Sequence, residues 1–398
     1  MDQEWLSAPI GIDAYRWISR VGCRTVLVAV HSLVSCHRLL DVVDLVESDP
    51  RVQVVFTVAP DVFSNGLREH LHELGALVVP WRQAVLERFD LALAASYGGI
   101  HELHAPLALM AHGAGYGKPV RPPAHGGDLA ARTTVYGLDP QRLVRDGRVL
   151  PNAVVLAHEN DREILRSQCP DALPAAAIAG DICFDRLVAS MARRNDYRGA
   201  IGVGAHQKLV VVSSTWGRDG AFGGVPDLLS TIVDGLPGDG FRVLALLHPA
   251  VWGAHGLRQV RAWTRDSRVA GLLLPKPTDD WRAFVAAADY VIGDHGSVSA
   301  YAAGVGIPVL CPAVRHPSMS QGSPQEFVLR HAATLDVSRP LSGQLASVSA
   351  PDPARAAAAL TSRPGEASRL LRDLLYGLLD LPEPGRHRPA DPVPVPHS

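Results

Sequence analysis

The stretch MAHGAGYGKPV, residues 110–120, sets three glycines and a lysine directly behind a histidine. Glycine-rich loops ending in lysine cradle phosphates, so nucleotide binding is the first chemistry to test. That loop needs a glycine five residues before its Gly-Lys pair and a Ser or Thr after it. Those positions hold His112 and Pro119, and the phosphate-loop reading fails. What remains is His112 at the end of an apolar run, with Gly113 and Gly115 leaving room for substrate or backbone. A histidine at a strand tip can take a proton near neutral pH. The chain has 17 histidines, and a structural role is the commoner one. Lys118 belongs either to a cleft or to a solvated loop.

A second group of polar residues follows other apolar runs. GDHGSVSA, residues 293–300, reads as strand end, turn and helix start. Asp294 closes the strand, and the amides from Gly296 onward, with the hydroxyls of Ser297 and Ser299, would suit an anion. The plainer alternative is that Ser297 simply caps the helix. SSTWGRDG offers Ser213, Ser214, Thr215 and the permanent cation Arg218, suited to a diphosphate or to a solvated turn. His248 precedes Pro249 at another strand end, where it could donate to phosphate or cap the sheet edge. HELH, residues 101–104, has two histidines at i, i+3 and no third ligand, so no metal is assigned. In GDICFD, residues 180–185, Asp181 or Asp185 reads as a helix cap.

The elements that position these residues follow from periodicity. RTVLVAV (24–30), VQVVFTV (52–58), ALVVP (76–80), FDLALAA (89–95) and APLALM (105–110) are short apolar runs between helical patterns. NAVVLAH (152–158) and AAIAG (176–180) continue the series, and residues 114–150 read as a Gly-, Pro- and Arg-rich loop region. A second series runs through KLVVVSS (208–214), FRVLALLHP (241–249), AGLLLP (270–275), DYVIGD (289–294) and IPVLCP (307–312). Apolar strands alternating with amphipathic helices predict parallel sheets covered on both faces. The expectation is α/β: two Rossmann-like domains facing a cleft, over residues 1–172 and 173–381. A leucine stripe from Leu370 to Leu379 ends the second, and the proline-rich tail 382–398 is expected to be disordered.

Bulk composition narrows the classes. The chain has 398 residues, 47% hydrophobic and 20% charged, with a formal net charge of −2 and no concentrated Lys/Arg block. A nucleic-acid binder would show a basic stripe, so no nucleic-acid partner is expected. Five cysteines without a CxxC spacing argue against a disulfide framework or structural zinc and for a reducing compartment. The N-terminus is unlike a signal peptide, and no apolar run reaches the roughly 18–20 residues that span a bilayer. The expectation is a soluble cytoplasmic protein, with peripheral contact at the inner face of a membrane left open.

Together, HGAGYGK, GDICFD, SSTWGRDG, the His-Pro pair and DHGSV resemble, in that order, motifs of the CDP-glycerol glycerophosphotransferase family of teichoic acid synthesis. The resemblance spans about residues 105–312. It implies a glycosyltransferase-B-like fold, a catalytic base at His112 and a basic role for Lys118. It also matches Gly180 and Asp185, then Thr215, Trp216 and Arg218, then His248 and Pro249, and finally Asp294, Ser297 and Val298. The chain departs from the family at Ala114, Gly115 and Tyr116, at Gly217 and at Gly296. The implied activity moves a polyol phosphate from a CDP-activated donor to an acceptor hydroxyl, such as a lipid-linked or cell-wall precursor, without a cofactor. Two alternatives use the same scaffold: a sugar-nucleotide glycosyltransferase or UDP-N-acetylglucosamine 2-epimerase-like enzyme, and a non-catalytic nucleotide-binding protein.

Overall fold

The computed structural model describes residues 5–11, 14–120, 134–314, 318–385, 387 and 389–396. The chain divides into two compact units. Unit 1 comprises Met1–Tyr116, Thr134–Ile182 and Arg363–Pro389, and unit 2 comprises Gly117–Thr133, Cys183–Ser362 and Ala390–Ser398.

Unit 1 is built on strands β1 (Arg24–Val30), β2 (Val52–Val58), β3 (Val78–Val79), β4 (Leu91–Ala94) and β5 (Leu107–Met110). A small antiparallel pair, β6 (Val144–Arg145) and β7 (Arg148–Val149), precedes β8 (Ala153–Leu156) and β9 (Ala176–Ile178). The seven-stranded sheet has the order β3-β2-β1-β4-β5-β8-β9, and all its pairs are parallel. The continuous apolar runs follow from burial on both faces. Val26, Val28 and Val30 of β1 enter one core layer, whereas Leu27 and Ala29 enter the other. Ser32 caps the helix Leu33–Val43 and forms a reciprocal capping box with Ser35. That helix buries Leu33, Cys36, Leu39 and Val42 in the first layer.

The last helix, Ala367–Leu378, returns to unit 1 and buries Leu371, Leu375 and Tyr376 in the same layer as Val26. The Tyr376 hydroxyl donates to Asp49 Oδ2 at 2.7 Å, fixing the helix to the turn before β2.

Unit 2 holds β10 (Lys208–Ser214), β11 (Phe241–Leu247), β12 (Tyr290–Gly293), β13 (Val309–Pro312) and β14 (Ala333–Leu335). Their order is β11-β10-β12-β13-β14, again all parallel. The strand expected at 270–275 is reduced to a bridge between Leu244 and Leu273. Gly271 at φ +107° starts it in a non-extended conformation, and Pro275 brings no amide to continue a ladder. Of the loop region expected at 114–150, residues 121–133 lie outside the described residues, while 140–149 form a short helix and the β6–β7 pair. The tail expected to be disordered carries hydrogen bonds within unit 2. Val393 N donates to Ser190 Oγ at 3.0 Å, and the Tyr197 hydroxyl donates to Val393 O at 2.8 Å.

Leu375 is 1% exposed in the unit 1 core. Leu375→Ala should therefore cost about 2–5 kcal/mol of stability, read as a lower urea midpoint. An unchanged midpoint would show that the C-terminal helix does not complete this core.

Candidate functional site

In an open parallel sheet, ligands bind beyond the strand carboxyl ends where strand order reverses. In unit 2 that point lies between β10 and β12, and the expected donor residues stand on both sides of it. Asp294, 1% exposed, ties the two sides together. Its Oδ2 accepts from Thr215 N (2.8 Å), Thr215 Oγ1 (3.0 Å) and Ala221 N (2.8 Å), and its Oδ1 accepts from Gly296 N (3.0 Å). The carboxylate thus holds the loop after β10 and orients the turn after β12.

The helix Ser297–Gly304 begins at this turn. Gly296 is its N-cap and makes no side-chain capping bond, and its first turn carries no acid. The capping alternative for Ser297 is therefore not what is found: Ser297 is the first helical residue. Ser299 is 1% exposed, and its hydroxyl has no hydrogen-bond partner among the described residues. It lies over Gly293, where an added Cβ would stand 2.3 Å from Ser299 Oγ. A helix start with a glycine N-cap, beside a hydroxyl without a partner among the described residues, suits an anion.

His248 caps the helix Pro249–His255 by accepting the Ala250 amide on Nδ1 at 3.1 Å. A nitrogen that accepts is unprotonated, so the neutral ring carries its proton on Nε2 and presents a donor there. Arg218 and Trp216 are exposed on the loop after β10, while Thr215 is buried. Asp185 is buried in the first turn of the helix Ile182–Ser190. Lys118 is exposed in unit 2, next to Gly117, whose carbonyl accepts from Ser320 N at 2.9 Å.

His112 and Gly113 belong to unit 1, at the tip of β5. The His112 side chain is exposed, and its Nδ1 lies 3.0 Å from the carbonyl oxygen of Ala95, which follows β4. A carbonyl can only accept, so Nδ1 carries the proton and the neutral ring keeps its lone pair on Nε2. In the neutral rings, the Nδ1 contacts therefore favour opposite tautomers for His112 and His248.

Several groups around His112 were missed or read only as caps in the sequence. Arg38 of the helix Leu33–Val43 pairs with Asp181 at 2.8 Å and donates to Gly113 O at 3.1 Å. The signal was an arginine on the buried stripe Ser35, Arg38, Val42. His31, at the tip of β1, is 1% exposed and donates from Nε2 to Gly98 O at 2.7 Å; burial lowers its pKa and keeps it neutral. Asp161 is buried behind the loop that carries His112, and burial pushes its pKa up to about 7, against the pull of the His158, Ala157 and Tyr116 amides.

Among the described residues, one His/carboxylate cluster is close enough to hold a metal: Asp373, Glu383 and His387. Arg369 and Arg372 already pair with its two carboxylates. His101 and His104 are not part of it.

No protein-family model matches the chain, and no characterised protein matches it in sequence. Its structure, however, resembles solved enzymes over most of their length. The wall teichoic acid polymerase TagF superposes with a TM-score of 0.56 at 12% identity, covering 91% of this chain and 90% of that one. A TagF variant soaked with CDPG gives 0.56 at 13% identity, covering 90% and 88%. The UDP-GlcNAc 2-epimerase of Neisseria meningitidis bound to UDP-GlcNAc gives 0.52 at 12%, covering 89% and 100%. The chain has a glycosyltransferase-B-type fold. The glycosyltransferase-B scaffold accounts for the two parallel sheets and for the strand-end placement of the polar residues. No described helix is long and apolar enough to cross a membrane.

Asp161 gives a pH test of the region behind His112. Its folded pKa of about 7 exceeds the unfolded value of about 3.9, so the native state binds the extra proton between them. This group's contribution is fully present below about pH 4 and is lost as the pH rises to about 7. Asp161→Asn should stabilise the protein relative to wild type at about pH 8 more than at about pH 4, by an order of a few kcal/mol. Parallel pH profiles in urea melts would contradict this assignment.

Proposed function

We propose that the chain is a transferase moving a polyol phosphate, most concretely glycerophosphate, from a CDP-activated donor to an acceptor hydroxyl. The observation that carries this reading is the start of the helix Ser297–Gly304, whose glycine N-cap makes no side-chain capping bond, with the Ser299 hydroxyl, without a partner among the described residues, in its first turn, at the strand-order reversal of unit 2. That arrangement suits the donor diphosphate, with His248 Nε2–H and Arg218 as further donors of hydrogen bonds and charge. Thr215 and Asp294 shape the loop, and Asp294 acts through the amides it holds. The order of the family-like motifs, and the fold shared with TagF structures, support CDP-glycerol as the first donor to test.

In this reading unit 1, which takes in the last helix, binds the acceptor and unit 2 binds the donor, in place of the boundaries 1–172 and 173–381 expected from the sequence. The acceptor hydroxyl gives its proton to His112 Nε2 as its oxygen attacks the donor phosphorus in line. The phosphoanhydride bond breaks, and CMP leaves with the electron pair. Such transfer depends on positioning and on charge stabilisation. Gly113 leaves room beside the base, and Lys118 and Asp185 are assigned to the acceptor side or the cleft. The protein is read as cytoplasmic, without a cofactor, and the acceptor as a cell-wall or lipid-linked hydroxyl.

The similarity to UDP-GlcNAc 2-epimerase structures favours a second reading, a sugar-nucleotide enzyme on the same scaffold. The two readings separate on the donor: only the first requires CMP release.

Substitutions should split binding from turnover. His112→Ala is expected to lower CDP-glycerol turnover by roughly 100-fold or more, leaving the thermal shift given by CDP-glycerol nearly unchanged. Ser299→Ala and His248→Ala should instead weaken donor binding, each by roughly tenfold. Normal turnover in His112→Ala would remove the base assignment.

A further inference from the structure

We infer that Arg38, held by Asp181, is a positioning residue for His112: it fixes the Gly113 carbonyl and thereby the direction in which the imidazole leaves the tip of β5. This rests on the proposed role of His112 as proton acceptor. Three segments meet at the guanidinium: the helix after β1, the turn after β9 and the loop after β5. Arg38 Nη1 lies 2.8 Å from Asp181 Oδ1, and Nη2 lies 3.4 Å from Oδ2 and 3.1 Å from Gly113 O. Arg38 is 8% exposed and Asp181 1%.

Stability alone does not explain a pair buried this deeply. Apolar residues of similar volume in its place are often as stable or more so. What the guanidinium adds is a rigid fork whose hydrogen-bond directions are fixed together, which an ammonium lacks. The loop needs such a clamp. His112 is followed by Gly113 and by Gly115, at φ +61°, so its backbone is intrinsically permissive. Packing leaves it slack as well, because Arg38, Gly113, Gly115, Tyr116 and Asp181 line a small cavity. The ring itself is tied at Ala95 O. Arg38 supplies a second tie one residue later, and Asp161, drawing on the Tyr116 amide, supplies a third. Together these three ties set the direction of the imidazole and of its Nε2.

Two variants test this. Arg38→Lys keeps the charge beside Asp181 but loses the fork. Arg38→Met combined with Asp181→Leu removes both charges and leaves neither buried alone. Thermal melts establish that each is folded, and Arg38→Lys decides if the double variant is not. The first readout is independent of activity: the ¹⁵N imidazole signal of His112, assigned by its loss in His112→Gln. Wild type should show Nδ1–H, and both variants a mixture of tautomers. The second readout is CDP-glycerol turnover, where kcat should fall roughly 10- to 100-fold and the donor KM should move by less than about twofold. Adding Arg38→Lys to His112→Ala should lower turnover no further. An unchanged His112 signal in the folded variants overturns the inference, as does an Arg38→Lys loss that persists in the His112→Ala background. If the wild type does not turn over CDP-glycerol, the proposed function fails while the imidazole spectrum still decides the positioning claim.

Discussion

Parallel pairing is the constraint on which everything else here depends. In both large sheets every strand runs the same way, so each strand tip delivers its next residues to one edge of its sheet. The residues after β10, β11 and β12 therefore gather at the edge of unit 2, and those after β1, β4, β5 and β8 at the edge of unit 1. Each edge is then fixed by a buried carboxylate that serves backbone rather than solvent. Asp294 collects the amides of Thr215, Ala221 and Gly296. Asp181 acts through Arg38 on the Gly113 carbonyl.

Local hydrogen bonds then set the chemistry of groups that are alike in sequence. His112 and His248 both follow an apolar strand, and both could be written as a base, a donor or a cap. The partner of Nδ1 decides between these. The Ala95 carbonyl puts the proton on Nδ1 of His112, whereas the Ala250 amide requires Nδ1 of His248 to be bare. The fold thus assigns opposite proton positions to two histidines in comparable places.

The strands were legible because burial on both faces leaves an apolar run that few other structures need. β1, β2, β10 and β11 lie where RTVLVAV, VQVVFTV, KLVVVSS and FRVLALL run. The sheet to which a distant helix returns was less legible: the leucine stripe at 370–379 marks a buried face, but only tertiary contacts place it against Val26 and Val28. At the site, DHGSV marked a helix start correctly, yet its cap is Gly296 rather than Ser297, a difference of one residue that backbone geometry decides. Arg38 went unnoticed because a single cation in an amphipathic helix reads as solvated unless its partner, 143 residues away, is known.

The central claim, transfer of a polyol phosphate from a CDP-activated donor to an acceptor hydroxyl, is tested most directly by ³¹P NMR of purified protein mixed with CDP-glycerol and a polyol-phosphate acceptor, then separately with UDP-GlcNAc. The account predicts that the diphosphate signals of CDP-glycerol give way to CMP and a new phosphodiester, while UDP-GlcNAc is left unchanged. Conversion of UDP-GlcNAc with no release of CMP from CDP-glycerol would contradict it.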